Sequence, residues 1–447
     1  MLGESRIKQI TDAVLARSTA DQTEVVVLGG DTALTRFANS TIHQNVYETD
    51  AQVRIRVAIG TRIGASSTND LSEAALTATL DNALAIARLQ PENPDFKSLP
   101  GPQPIQKTMA FSEATAGCTP EQRARGVGAI CLEARARGVI ASGALTTAIL
   151  ETAIANSLGT FAYFPTTFAD INTVIMSDTS AGYAAAMALD VNDMEFEAIG
   201  AEAVNKCLTS QNPRPLEPGE YPVILEPYAV QDIANMLGYT GLTALAVQEG
   251  RSFMVGKFGQ QIVDPRVSIW DDGLSPDGIP WPFDFEGVPK QRVDFIVNGV
   301  ANAVAYDSYS AGKEGKQSTG HALPAPNTMG PIPINSFFAA GDATVDEMIK
   351  NTERGLYVTR FHYTRPVEPT QVVITGMTRD GTFWIENGEI AYPVKNLRFT
   401  QSYLEALNSV VQIGSQPRLL SRFEGLARDS VPALHLSAFR FTGATQF

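Results

Sequence analysis

The sequence predicts an α+β protein of two domains, an N-terminal sheet with long helices followed by a β-rich C-terminal domain. The chain has 447 residues, of which 44% are hydrophobic and 18% charged. This is an ordinary globular composition, and at about 150 residues per domain it leaves room for two to three domains. Long helical patterns lie in the first half, whereas short β-like runs rich in Gly and Pro fill the second.

The N-terminal half begins with a predicted helix over 4–16, where apolar residues recur at helical spacing. A buried strand is predicted over 23–28. From 32 to 66 we expect an antiparallel meander, because apolar and polar residues alternate over 52–59 as they do in a strand with one buried face.

Capping signals mark two helices. Asp70 and Glu73 have the spacing of a capping box, and the helix behind them stops before Pro91. A second box, formed by Thr119 and Gln122, begins a helix that ends near residue 138.

Two strands and a further helix complete the first half, over 139–152, 160–176 and 194–207. The segment 210–219 has neither periodicity nor apolar weight, and it contains three prolines. We place the domain boundary there, which predicts domains over 1–209 and 220–447.

The second half opens with one long predicted helix over 228–247. Its remaining elements are short β-like runs, for example over 295–297, 371–375 and 383–385. The pair Asn387-Gly388 between two such runs predicts a hairpin, since both residues tolerate positive φ.

Charge and cysteine content exclude several classes of function. Lys and Arg number 34 against 48 Asp and Glu, a net charge of −14, so a nucleic-acid ligand is not expected. Three cysteines without a close pair argue against a disulfide scaffold and suit a cytoplasmic location. The N-terminus lacks the apolar core of a signal peptide, and no apolar run is long enough to span a membrane.

A search for catalytic chemistry finds no complete motif. None of the four histidines has a second histidine at zinc-binding helical spacing, and the Gly-rich stretches fail the spacing of phosphate loops. Asp271-Asp272 and Asp284-x-Glu286 are paired carboxylates that would suit acid–base chemistry or a hard cation. The alternative is a pair of turns whose carboxylates accept backbone N–H groups.

A resemblance to a known family offers an explanation for the absence of a complete catalytic motif. The chain resembles the TldD/PmbA family of peptide-processing proteins, and the segments that carry the resemblance run in order: 35–40 (TRFANS), 42–45 (IHQN), 252–259 (SFMVGKFG), 271–273 (DDG), 284–289 (DFEGVP), 355–359 (GLYVT) and 385–390 (IENGEI). Members of the TldD type carry His-Glu-x-x-x-His on a helix early in the second domain and a Cys near the C-terminus, which together bind zinc.

The resemblance implies that this chain lacks the zinc motif. Counting back from Ser252 places the motif near 235–240, with Asn235 and Thr240 in place of the two histidines and Met236 in place of the catalytic glutamate. No Cys follows Cys207. Neutral amide and hydroxyl groups are poor zinc ligands, and Met cannot act as a base. The chain therefore resembles the PmbA type, also called TldE, with no metal, no cofactor and no catalytic residue of its own.

The leading hypothesis is a non-catalytic subunit that pairs with a TldD-like zinc subunit, in a complex cleaving unfolded or leader peptides. A homodimeric peptide-binding or regulatory protein is the alternative, and a hydrolase using the carboxylates of 271–286 is a third. An extended peptide needs strand edges and small polar side chains. The candidates in the second half, which would otherwise form turns, are Asn327, Thr328, Asn335, Ser336 and Asn351.

Overall fold

The computed structural model describes residues 1–422, 425 and 427–445. The fold is α+β, as the sequence predicts, and it contains three sheets. The helices of the first half are α1 (Glu4–Arg17), α2 (Glu73–Leu89), α3 (Glu113–Ala116), α4 (Pro120–Ala136) and α5 (Phe196–Thr209). Its strands are β1 (Gln22–Ala38), β2 (Thr41–Ile59), β3 (Arg62–Thr68), β4 (Ile140–Asn156), β5 (Phe161–Met176) and β6 (Ala181–Ala188).

The six strands of the first half form one antiparallel sheet in the order β3-β2-β1-β4-β5-β6. Successive side chains of a strand point to opposite faces. Val25 and Val27 therefore pack against α1 and α2, whereas Val26 faces the second half of the chain. The sheet is thus covered by helices on one face and by the second half on the other.

The second half contains two more sheets and shorter helices. Its helices are α6 (Pro227–Thr240), α7 (Ala244–Gln248), α8 (Ser308–Glu314), α9 (Val345–Lys350) and α10 (Tyr403–Asn408). Its strands are β7 (Glu220–Leu225), β8 (Ile269–Asp271), β9 (Val293–Val297), β10 (Val300–Ala301), β11 (Asn335–Phe338), β12 (Arg354–Glu368), β13 (Val373–Glu386), β14 (Glu389–Pro393), β15 (Leu397–Ser402), β16 (Val410–Ile413), β17 (Arg418–Arg422), β18 (Ala427–Val431) and β19 (Leu434–Ala444).

These strands form two units. One sheet runs β10-β9-β8-β11-β18-β17, and the other runs β12-β7-β19-β15-β13-β14 with β16 attached to β19. A further pairing between β12 and β13 closes five strands of the second sheet into a ring. The core of this half lies between the ring, α6 and the neighbouring strands.

Several local predictions agree with the structure. The capping box at Thr119 and Gln122 is present at the start of α4. Asn387 and Gly388 both adopt positive φ, 54° and 78°, in the turn between β13 and β14.

Two local predictions are wrong. The cap of α2 is Ser72, whose hydroxyl accepts from the N–H of Ala75, while Asp70 accepts from the N–H of Ser72. The predicted long helix over 228–247 is two helices, because α6 ends at Thr240 and Thr243 caps α7. At the break, a Cβ on Gly241 would lie 2.4 Å from the ring of Phe253, so this position requires glycine.

The predicted domain boundary falls in an irregular, mostly exposed segment, 210–219. The halves on either side of it nevertheless share an apolar cluster, in which Phe164 and Phe168 pack with Trp281 and Phe283. The division into domains 1–209 and 220–447 stays a prediction. In the described part of the chain, no helix is both long and apolar enough to cross a membrane.

Candidate functional site

The helix that corresponds to the expected metal motif is α6, and one face of it meets an arginine. The Oδ1 of Asn235 accepts a hydrogen bond from Nη1 of Arg422 at 3.1 Å. The Nη2 of Arg422 donates to the carbonyl of Pro333 at 3.1 Å, and the arginine is buried. A positive charge therefore lies beside the first position of the expected motif.

The other two positions of the motif do not converge with Asn235. The hydroxyl of Thr240 is buried and donates to the carbonyl of Met236 at 2.7 Å. Met236 itself packs against the apolar core.

These residues do not fit a zinc ion. Zinc takes thiolate, imidazole or carboxylate ligands, whereas Asn235 and Thr240 offer neutral oxygens already engaged within the protein. Over residues 1–422, 425 and 427–445, no group of three or more His, Cys, Asp and Glu could hold a metal ion. His321 is instead paired with Asp271, its Nε2 lying 3.0 Å from the carboxylate.

A second candidate site is a cleft of about 690 Å³ between the two halves of the chain. At its base Arg56 of β2 pairs with Glu24 at 2.6 Å and with Glu286 at 3.0 Å. Glu286 also accepts the backbone N–H of Ser308 at 3.0 Å. Because Glu24 and Arg56 belong to the first sheet and Glu286 to the second half, this charge cluster ties the halves together.

Two carboxyl groups near the base of the cleft, those of Asp284 and Asp307, have raised pKa values. Asp284 accepts three backbone N–H groups, from Glu286, Val288 and Ala322, at 2.8–2.9 Å. Burial, together with the nearby charge of Glu286, raises the pKa of Asp284 to about 7. Burial also raises the pKa of Asp307. The Asp284 contacts are those of a turn-forming carboxylate, which is the alternative that the sequence left open.

Two of the five predicted peptide contacts, Asn327 and Thr328, line this cleft. Asn327 is bonded within its own turn, its amide donating to the carbonyl of Gly330 and its Oδ1 accepting from Met329. Thr328 is exposed.

The structure does not bring the other three together with this pair. Asn335 and Ser336 are buried in β11, where the amide of Asn335 donates to the carbonyl of Asp272 and accepts from Arg428. Asn351 is exposed at the end of α9. The peptide-binding role of all five stays a prediction.

Sequence reasoning missed the two arginines that organise these sites. Arg56 is one of several polar residues on an alternating strand, and Arg422 lies in a stretch without a motif. Their partners Glu286 and Asn235 are 230 and 187 residues away in sequence. The only signal available was Glu286 itself, which the sequence placed in an acidic cluster.

Comparison with known proteins first defines the class. The model described as the PmbA/TldA metallopeptidase C-terminal domain matches residues 218–443, and that of PmbA/TldA metallopeptidase domain 1 matches residues 23–87. The fold is thus that of a metallopeptidase family, even though the expected motif positions on α6 hold neither histidine nor glutamate. The chain belongs to the TldD/PmbA family.

Individual relatives agree with this assignment. The chain is 26% identical to Metalloprotease PmbA of Escherichia coli O157:H7 over 435 residues, 92% of each chain. It is 28% identical to a metalloprotease of Methanothermobacter thermautotrophicus over 243 residues, 53% of this chain and 52% of the relative. The crystal structure of TldE from Thermococcus kodakarensis has the same fold, with a TM-score of 0.88 at 19% identity, covering 98% of this chain and 100% of that one.

Proposed function

We propose that this chain is the metal-free, PmbA/TldE-like subunit of a TldD-type metallopeptidase complex that cleaves unfolded or leader peptides in the cytoplasm. The observation that carries the proposal is which residues stand on α6 where the zinc motif is expected. The positions where the motif is expected hold Asn235, Met236 and Thr240, and the amide oxygen of Asn235 accepts a hydrogen bond from Arg422. A family member built in this way supplies neither a Lewis acid nor a general base.

In this proposal the partner subunit supplies the metal and the base, and this chain helps to hold the substrate. The cleft between its halves is lined by apolar side chains, among them Phe96 and Leu245, and by the predicted contacts Asn327 and Thr328. An extended peptide with varied side chains suits a surface of this mixed character.

An exposed strand edge supports pairing with another extended chain. In the described structure β1 pairs with β2 over 41–58, whereas β3 pairs only with 53–59. The outer edge of residues 41–50 therefore has no strand partner in the part of the chain that is described. Tyr47 is 65% exposed within it. A free edge of this length offers main-chain hydrogen bonds that demand little of the partner's sequence.

The same edge favours a second candidate function, a homodimeric peptide-binding or regulatory protein without a TldD-like partner. Two copies can pair such edges about a two-fold axis. A gene for a TldD-like chain with the His-Glu-x-x-x-His motif in the same source would favour the complex over the homodimer.

The deciding experiment expresses this chain and a TldD-like chain from the same source, together and separately. We expect a mixed complex by mass in solution, and peptide cleavage only from the mixture. Mutating the glutamate of the partner's motif should abolish cleavage, whereas Asn235→Ala in this chain should leave it unchanged. Elemental analysis should find no stoichiometric zinc in this chain alone. Full activity of the partner alone, or two homodimers that never exchange subunits, would contradict the proposal.

A further inference from the structure

Asn235, the first position of the expected metal motif, is in contact with the positively charged side chain of Arg422. Arg422 leaves β17 and reaches three separate elements. It donates to Asn235 on α6 and to the carbonyl of Pro333 ahead of β11. Its Nε lies 3.1 Å from Oδ2 of Asp429 on β18. One guanidinium thus joins the motif helix to two neighbouring strands.

The carboxylate beside Arg422 depends on that charge. Asp429 is fully buried, and its 3.1 Å contact with Arg422 is a charge pairing without the geometry of a hydrogen bond. Burial raises the pKa of Asp429, and the charge of Arg422 opposes that rise. Removing one partner of a buried ion pair leaves the other charge uncompensated, which is strongly destabilising.

A second arginine, Arg360, lies near Asn235. The pocket beside Asn235 has a volume of about 180 Å³ and is also lined by Arg360, which is paired with Asp380. Gln231, one turn before Asn235 on α6, donates to the carbonyl of Ser421 and ties the helix to the strand that carries Arg422. Among the described residues that line this pocket, a divalent cation would meet two guanidinium groups, one carboxylate, that of Asp232, which already accepts hydrogen bonds from Thr364 and Tyr403, and no thiolate or imidazole.

We propose that Arg422 is the resident cation of this site: it holds Asn235 and Asp429 together and closes the α6 face to metal ions. This extends the proposed zinc-free role, and it is tested without a partner or a peptide substrate. Failure of the complex experiment would therefore leave it standing.

The first test is chemical rescue of Arg422→Ala, followed by thermal unfolding at pH 8, where Asp429 is most readily ionised. We expect a melting temperature several degrees below that of the unmodified chain. Guanidinium chloride at about 20 mM, far below denaturing concentrations, should restore at least half of the loss, whereas sodium chloride at the same concentration should not. The exposed pair of Arg440 and Glu220, 3.7 Å apart, provides the control, since Arg440→Ala should respond alike to both salts.

A charge-retaining variant guards against failure of Arg422→Ala to fold. Arg422→Lys should keep more of the melting temperature than Arg422→Gln, because the site requires positive charge. Equal losses in the two variants, or equal effects of the two salts on Arg422→Ala, would overturn the assignment of a cation site.

The second test concerns metal exclusion. Asn235→His places one imidazole on α6, and adding Arg422→Ala removes the guanidinium that contacts both this position and the carboxylate of Asp429. We expect the double variant to bind Co²⁺, followed by its visible absorption, at least about tenfold more tightly than Asn235→His alone, a difference of about 1.4 kcal/mol. Equal affinity in the two proteins, including no binding by either, would show that Arg422 does not close the site.

Discussion

Hydrogen bonds and burial have opposite effects on the pKa of the Asp284 carboxyl group. Three backbone N–H groups stabilise its charged form, yet burial and the charge of Glu286 outweigh them and raise its pKa to about 7. In the unfolded chain the same group has an ordinary pKa near 3.8. The folded state therefore binds this proton more tightly, and the stability that results is complete below about pH 4 and is lost as the pH rises through 7.

We predict that this contribution is visible in the difference between the unmodified chain and Asp284→Asn. The variant lacks the titrating group, so its deficit in the free energy of unfolding should be greatest near pH 4. The deficit should shrink by up to about 4 kcal/mol as the pH rises to 8, at about 1.4 kcal/mol for each unit of the pKa difference. Urea unfolding at a series of pH values measures it. Asp277→Asn, in an exposed turn, is the control, and a deficit for Asp284→Asn that grows with pH would contradict the prediction.

At the scale of residues, the sequence predicts types of chemistry better than partners. It identifies the carboxylates of 271–286, which are neighbours in the chain, and the family resemblance places the expected motif at 235–240, which lies at the end of α6. It does not identify Arg56 or Arg422, since each acts on groups that only the folded chain brings within 3.1 Å. Nothing in a local pattern distinguishes these two arginines from a solvated one.

At the scale of elements, glycines bring the edges of the first sheet close to its helices. A Cβ on Gly64 of β3 would lie 2.1 Å from the carbonyl oxygen of Ala83 in α2, and one on Gly182 of β6 would lie 2.1 Å from that of Ala203 in α5. Both contacts are with helix backbone, which cannot rotate aside. Each edge strand therefore packs against its helix only because the strand has no side chain at that position.

We predict that Gly64→Ala lowers the free energy of unfolding by at least about 2 kcal/mol, because α2 must move away from the sheet. The matched control is Gly128→Ala in α4, where nothing lies within 4 Å of the added Cβ. It should stabilise the protein by up to about 1 kcal/mol through helix propensity. Urea midpoints at constant slope provide the measurement, and equal effects of the two substitutions would refute the packing argument.

Periodicity predicts where most of these elements lie but not where each one stops. The predicted ends of α1, α2, α4 and α5 lie within about two residues of the observed ends, because the apolar faces and caps of these helices are local features of the sequence. The predicted helix over 228–247 is wrong in its length, since its break depends on Phe253 filling the space beside Gly241. That contact joins residues from different elements, so it cannot be predicted from local periodicity. The apolar spacing of residues 228–247 remains helical across the break.

At the scale of the whole molecule, the two halves are joined by more than the connecting segment. Phe164 and Phe168 of the first sheet share a core with Trp281 and Phe283, and Arg56 bridges the halves with buried charge. The connecting segment contributes less, through backbone hydrogen bonds of Asn212 with Thr179 and of Arg214 with Pro393 and Lys395. It is mostly exposed between residues 211 and 218.

We predict that a broad-specificity protease under native conditions cuts first within 211–218. Irregular, exposed backbone enters a protease site most readily. The proline-rich segment 91–104 should resist longer, because Phe96 and Leu99 are buried and the carbonyl of Pro100 accepts bonds from Asn156 and Thr160. Mass spectrometry of the early fragments identifies the cut.

The nicked protein should still elute from a sizing column as one particle of unchanged size. Burial of the shared aromatic side chains stabilises the contact between the halves by about 1.5–3 kcal/mol for each fully buried side chain, and the connecting segment is not part of it. Separation of the fragments at neutral pH without denaturant would show that the covalent link, rather than the shared core, holds the halves together. If the first cuts fell within α6 instead, that helix would be less stable than its contacts with Arg422 and the core imply.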